Sequence, residues 1–373
     1  AGTQEPWLII SGSDKGVGNV TLTVNGSVYF EPTFQALFQI TQPNGYSAQT
    51  NFYVKNDFYI GNKGELRGAS GVQGTRYGYA KANLQIDGTL YVRNGGYISA
   101  GYIGDSSAHH ESNFTINNVV LESGGQWYGP DSSAFVFNAN LGNVTVGNGG
   151  IFRTTNSTTT ISDTLTLASG GNLYNAGGLI VGSKASQRLT IGKVLNLNGG
   201  SISDRSSLTQ NTGTINVNAG SYAFSNFTQT NGTLNNNATL TLTGSNVGTN
   251  GSFINNRTLT LGGNSNISKI ISGSGTISIS GTANIAGISG AQSVSVTSGN
   301  TTVQSLNTTN INNAANLTVN DFAKDSGVTY TQTGGLLIAN NDWLTNSIFN
   351  IRGGSLTRDA LGENTFNVAG GTV

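Results

Sequence analysis

Few residues in this chain could do chemistry. Its only two histidines, His109 and His110, follow Gly104-Asp105-Ser106-Ser107, the one stretch that sets a hydroxyl nucleophile beside a base. A serine nucleophile needs a base positioned to take its proton. Adjacent histidines on a strand point to opposite faces, so neighbours this close do not fold back onto Ser106. The cluster reads as a polar loop between two strands. Asp105, Glu111 and Glu122 could join the histidines around a metal, but no cysteine and no third histidine accompanies them. Polysaccharide cleavage needs clustered carboxylates. No Asp or Glu occurs between Asp204 and Asp321, and Asp321, Asp325 and Asp342 are spread along the chain as loop charges. The expectation is no catalytic residue, no cofactor site and no metal site.

The elements that would position any such group are strands. Glycine fills 54 of the 373 positions, which leaves almost no room for a helix of the usual 11–12 residues or so. Short stretches alternate apolar residues with Thr, Ser or Asn at period two, the strand signature. Leu84-Gln85-Ile86 with Leu90-Tyr91-Val92, Leu165-Thr166-Leu167, Leu195-Asn196-Leu197, Leu240-Thr241-Leu242 and Leu259-Thr260-Leu261 are examples. Gly-Gly pairs punctuate them, beginning at Gly95, Gly124, Gly149, Gly170 and Gly199, in steps of 29, 25, 21 and 29 along the chain. One such copy cannot bury its apolar face alone, whereas stacked copies bury a continuous core.

The expected fold is therefore all-β: a parallel β-helix, or solenoid, with an N-terminal β cap. At roughly 22 residues a turn, residues 61–373 would make about 14 turns. Glycine suits corners that need positive φ, and asparagine can ladder from coil to coil. Residues 1–60 are aromatic-rich and less repetitive, and read as a capping segment in which Trp7, Phe30, Phe34 and Phe38 cover the first coil. Residues 61–373 read as the helix itself. Phe366-Asn367-Val368-Ala369-Gly370-Gly371 begins another turn, so the helix is expected to be open at its C-terminal end.

Charged residues are 9% of the chain, with 17 Lys+Arg against 17 Asp+Glu. Zero net charge argues against polyanion binding driven by bulk charge, so no nucleic-acid partner is expected. No run approaches a membrane span. The absence of cysteine and methionine, and the start at Ala1, read as a mature, exported chain. Thr239-Leu240-Thr241 and Thr258-Leu259-Thr260 raise ice binding, which wants Thr-X-Thr at one fixed period on one flat face, and here the spacing is irregular. Glu111-Ser112-Asn113-Phe114-Thr115 resembles the extended acceptor sequence of bacterial N-glycosylation.

The repeats, clearest at Gly232-Thr233-Leu234-Asn235-Asn236-Asn237-Ala238-Thr239-Leu240-Thr241-Leu242-Thr243-Gly244, resemble the passenger domains of autotransporters, the type V secretion adhesins and toxins of Gram-negative bacteria. Residues 52–100 more faintly resemble vacuolating-toxin-like passengers. Gln42-Pro43-Asn44-Gly45 resembles the Asn-Pro-Asn-Gly motif of two-partner secretion domains, with Gln42 in place of the first Asn. The resemblance implies a right-handed β-helix, export through the periplasm, and display on or release from the cell surface. The expected function is non-enzymatic adhesion or self-association, with a host or neighbouring-cell surface or identical subunits as partners. An extracellular filament or surface-layer subunit, and a pore-forming or cell-binding toxin passenger, are the alternatives. Tyr97, Tyr102, Trp127 and Tyr128 lie within 32 positions and flank two Gly-Gly corners. Exposed, they would form a partner-contact patch; buried, they would be core.

Overall fold

The computed structural model describes residues 7–10, 18–33, 35–41, 47–70, 79–93, 95–102, 110–130, 135–154, 157–174, 179–181, 189–203, 208–244, 247–323, 326–340, 344–358 and 364–373. Every regular element among them is a strand. Among the described residues no helix is long and apolar enough to cross a membrane. The chain divides into two compact units, residues 1–205 and 206–373. Each is a β-helix-like stack in which strands pair in parallel with the strands one coil before and one coil after.

In the first unit each coil contributes to three faces. One face is an eight-stranded sheet that includes Trp7–Ile9, Ala36–Thr41, Gly64–Ser70, Tyr97–Tyr102, Gln126–Tyr128 and Ile151–Arg153 in sequential order. The other two are joined wherever one long strand bends across both. Ala80–Val92 is such a strand: residues 80–86 pair with Ala48–Val54 and residues 90–92 with Phe58–Ile60. Its burial alternates because inward residues fill the coil and outward ones meet solvent.

The Gly-Gly spacings are the coil lengths. Tyr97 pairs with Gln126, Gln126 with Ile151, Ile151 with Asn172 and Asn172 with Ser201. These pairings repeat the same steps of 29, 25, 21 and 29. Each Gly pair immediately precedes its strand on this face, and the two glycines do different jobs. Gly124 takes φ +71°, the left-handed region that a side chain strains. Gly125 donates its N–H to the Glu122 carbonyl at 2.8 Å to close the turn. A Cβ on Gly125 would run into the Val92 carbonyl of the preceding coil.

The coils do not keep to the roughly 22 residues a turn expected from the sequence: steps on the eight-stranded sheet of the first unit run from 21 to 32. The second unit uses shorter coils than the first. One nine-stranded face runs from Ser221–Phe224 to Thr365–Val368, and there Ser221, Thr239, Thr258 and Thr276 lie over one another, in steps of 18, 19 and 18. No later step on this face exceeds 19. Inward amides brace these coils. Gln210, Gln229 and Gln332 are buried, each three positions before a turn glycine. Gln332 Nε2 donates to the carbonyls of Gly335 at 2.9 Å and Ser355 at 2.8 Å, tying its own turn to the next coil. Gln210 does the same with Gly213 and Thr233, and Gln229 with Gly232 and Ser252.

The aromatic N-terminal segment enters the same register. Gly18–Val24 pairs with Ala48–Val54, and Val28–Phe30 with Phe58–Ile60. Phe38, Phe52 and Phe58 are buried, and ring centroids 5.5–6.0 Å apart join them into one cluster that Phe30 also contacts. The described strands between residues 18 and 60 are thus part of the coiled stack. Phe34, the side chain of Trp7 and the Gln42–Gly45 motif lie outside the described residues.

Two variants probe these corners. Gly125→Ala should cost more stability than Gly124→Ala: about 2–3 kcal/mol for driving Cβ into backbone, against about 1 kcal/mol for a strained φ. Urea unfolding of the two variants checks the order, and a reversed order rules out the division of labour. Gln332→Leu removes both of these hydrogen bonds and takes from the buried Tyr330 hydroxyl the acceptor it meets at 2.9 Å, and should cost about 1–3 kcal/mol in the same assay.

Candidate binding surface

The residues singled out for chemistry are placed as structural groups where the structure describes them. His110 faces inward at 1% exposure, and its Nδ1 accepts the Ala80 N–H at 3.3 Å. Glu111 points outward, accepting from Asn113 Nδ2 at 2.7 Å and from the Tyr79 hydroxyl, and pairs with Lys81 at 3.1 Å. Glu122 pairs with Arg93 at 3.0 Å. Asp321 is exposed. Among the described residues no three His, Cys, Asp or Glu converge as metal ligands. Asp105, Ser106, Ser107, His109, Asp325 and Asp342 lie outside them.

Asn113 of the glycosylation-like sequence is built into an asparagine ladder. It donates to Asn83 Oδ1 at 3.0 Å and accepts from Asn138 at 2.9 Å, while Asn83 donates to Asn51 at 2.8 Å. Four successive coils are stitched together by these amides.

The four aromatic residues expected to meet a partner do not form one patch. Trp127 is 0% exposed and packs among Phe114, Phe137 and Phe152, with ring centroids 5.6–6.1 Å away. It is the middle residue of Gln126–Tyr128, and alternation turns it inward, so it is core and cannot contact a partner. Tyr97 and Tyr128 face outward, half-buried, edge to face at 6.4 Å. The Tyr97 hydroxyl is engaged by Glu65, which is 5% exposed and also accepts Arg67 through two bonds and Ser99 through one. Tyr128 donates to Gln126. The side chain of Tyr102 lies outside the described residues.

A different aromatic surface emerges from the register. Tyr29 pairs with Tyr59 and Tyr59 with Tyr91 on three successive coils, all pointing outward. Their rings stack at 4.7 and 4.8 Å, tilted by only 1° and 4°. The strand repeat of about 4.8 Å is also a good ring-stacking distance. Tyr29 is 67% exposed. Arg93 lies over the rings of Tyr59 and Tyr91, 4.8 and 5.4 Å from their centroids. It is held by Glu122 on one side and by Glu31 on the other at 3.6 Å. Gly61 lies against Glu31, and a Cβ there would press on the Glu31 side chain.

Ionic and hydroxyl groups border the stack. The Tyr59 hydroxyl donates to Asp57 at 3.1 Å. Packing of the neighbouring rings and then that bond raise its pKa above the ordinary phenol value. Lys55 reaches Asp87 at 3.1 Å. A hydrogen bond from Gln85, with Lys55 behind it, holds Asp87 below the usual carboxylate range. The sequence signal for this surface is apolar-Tyr-apolar, in Val28-Tyr29-Phe30, Phe58-Tyr59-Ile60 and Leu90-Tyr91-Val92. The steps between the tyrosines are 30 and 32 (29→59→91). Only the pairing register shows those steps to be one coil each. Neither a family model, nor a curated protein, nor a solved structure matches this chain.

The Tyr79–Glu111 pair gives a pH test. Desolvation, then Glu111, pushes the Tyr79 hydroxyl from 10.0 up to about 12. Its stabilising contribution is complete below pH 10 and is lost as pH rises toward 12. Desolvation pushes Glu111 up, but bonds from Tyr79, Asn113 and Lys81 together hold it below its ordinary 4.5. That contribution is present above pH 4.5 and is lost on acidification below it. Tyr79→Phe should cost about 1 kcal/mol at pH 7, and the gap to wild type should close below pH 4.5. A gap that stays constant from pH 7 to pH 3 in urea unfolding would show that the charge on Glu111 adds nothing to the bond.

Proposed function

We propose that this chain is the passenger part of an autotransporter-like protein, secreted or displayed at the cell surface, acting in adhesion and not in catalysis. In this reading the stack is a right-handed β-helix exported through the periplasm of a Gram-negative bacterium, and residues 1–60 shield its N-terminal end. The observation that carries the reading is the exposed Tyr29–Tyr59–Tyr91 stack with Arg93 across it. Tyrosine and arginine are enriched among the residues that dominate binding energy at protein interfaces. Here parallel pairing holds them in place, so little side-chain entropy remains to be lost on binding. The ion pairs around the stack fit the polar rim that encircles such anchors. A host or neighbouring-cell surface is the partner.

Tyr29 suits a test because it is the most exposed ring of the stack, at 67%. Beads coated with the chain should adhere to cultured cells, and Tyr29→Ala should weaken adhesion about tenfold or more. Tyr29→Phe should retain adhesion, and the melting temperature should fall only slightly in both variants. Unchanged adhesion by Tyr29→Ala overturns the assignment of this surface.

A further inference from the structure

The nine-stranded face of the second unit that runs from Ser221–Phe224 to Thr365–Val368 carries a second surface, independent of the tyrosines. Its nine strands each turn two side chains outward, which forms two files. One runs from Ser221 to Thr365 and the other from Ala223 to Asn367. Sixteen of these eighteen residues are Thr, Ser or Asn; Ala223 and Ile348 are the exceptions. None is buried and none is charged. The Thr-X-Thr pattern that is irregular along the sequence is regular in space, because variable coil length is absorbed outside the face. The files repeat at about 4.8 Å along the stack and about 6.6 Å along each strand.

From this geometry we infer that the face pairs with the same face of a second copy of the chain. Every hydroxyl and carboxamide in the files is both donor and acceptor, so the face complements itself, as a two-fold interface requires. It is uncharged, so two copies meet without repulsion. The same face of another copy necessarily carries the same repeat. Interdigitated polar ladders between two sheets are a known way for such surfaces to pack. The face also has a place for an incoming group: a notch of about 140 Å³ beside the files, lined by Ser295, Asn312, Asn313, Thr331 and Thr333.

Size sets the strength. Eight strand intervals by four residues give about 40 Å by 13 Å, or about 500 Å² per copy. The total of about 1,000 Å² is the lower limit for a specific contact. Pairing is therefore weak between free molecules and becomes strong when many copies are displayed together. This rests on the surface-display reading only for that crowding; the pairing itself is a property of the free chain.

Sedimentation equilibrium of the purified chain should show a concentration-dependent dimer with a dissociation constant of about 10⁻⁴ M, as for small, wet interfaces. Thr260→Lys with Ser295→Lys puts like charges on both facing surfaces and should weaken the dimer at least tenfold. Thr260→Glu with Ser295→Glu should do the same, and an equimolar mixture of the two double variants should dimerise again. The control, Asn266→Lys with Asn284→Lys on another outward face, should pair like wild type. A chain that stays monomeric at about 1 mM overturns the inference, as does a dimer indifferent to the file charges or a mixture that fails to restore pairing. Adhesion carried by Tyr29 would survive each of those outcomes, so failure here is separable from failure of the adhesive reading.

Discussion

Parallel in-register pairing between successive coils is the constraint on which the rest of this protein depends. Backbone hydrogen bonds hold each residue over its counterpart one coil away, at the spacing of strands in a sheet. Any side chain placed on a strand is therefore repeated against a neighbour, and stacking like on like becomes the main source of specificity. Inside, this gives layers such as Phe114, Trp127, Phe137 and Phe152. Burying each such side chain is worth about 1.5–3 kcal/mol. Outside, it gives the Asn51–Asn83–Asn113–Asn138 ladder, whose amides donate along one direction from coil to coil.

The same constraint makes corners the weak points. A coil must turn sharply while its backbone stays within reach of the coils on either side. Gly-Gly answers this with one residue free to take positive φ and one with no Cβ to collide with the carbonyl beneath. In the second unit the buried glutamines answer a related problem. A turn leaves carbonyls facing the interior, and an orphaned carbonyl there costs more than a hydrogen bond returns. One inward carboxamide supplies donors to two of them, its own turn and the start of the next coil. These amides count as core residues in every sense except polarity.

The two units differ in which side chains they repeat outward. The tyrosine stack of the first unit and the uncharged polar files of the second are made by the same rule applied to different residues. The first concentrates aromatic surface and one arginine over three coils; the second spreads small donors and acceptors over nine strands. The two surfaces suit different contacts, a few strong anchors against many weak ones.

Strand content and the corner positions of the first unit were legible in the sequence, because they follow from local properties: period-two alternation and the backbone freedom of glycine. The steps between Gly-Gly pairs are the coil steps themselves. The inward role of Trp127 was not legible, since an isolated Gln-Trp-Tyr strand carries no alternation long enough to fix its phase. The tyrosine stack and the polar files escaped for a further reason. Which residue lies over which is decided by pairing between coils, and the coil step differs as much as Asn300 to Asn316 does from Glu65 to Tyr97. A coil can lengthen or shorten in a loop without disturbing the register of its strands. Sequence spacing records the loops as well as the strands. Only the tertiary structure separates the two, and so only it decides that Tyr29, Tyr59 and Tyr91 are neighbours.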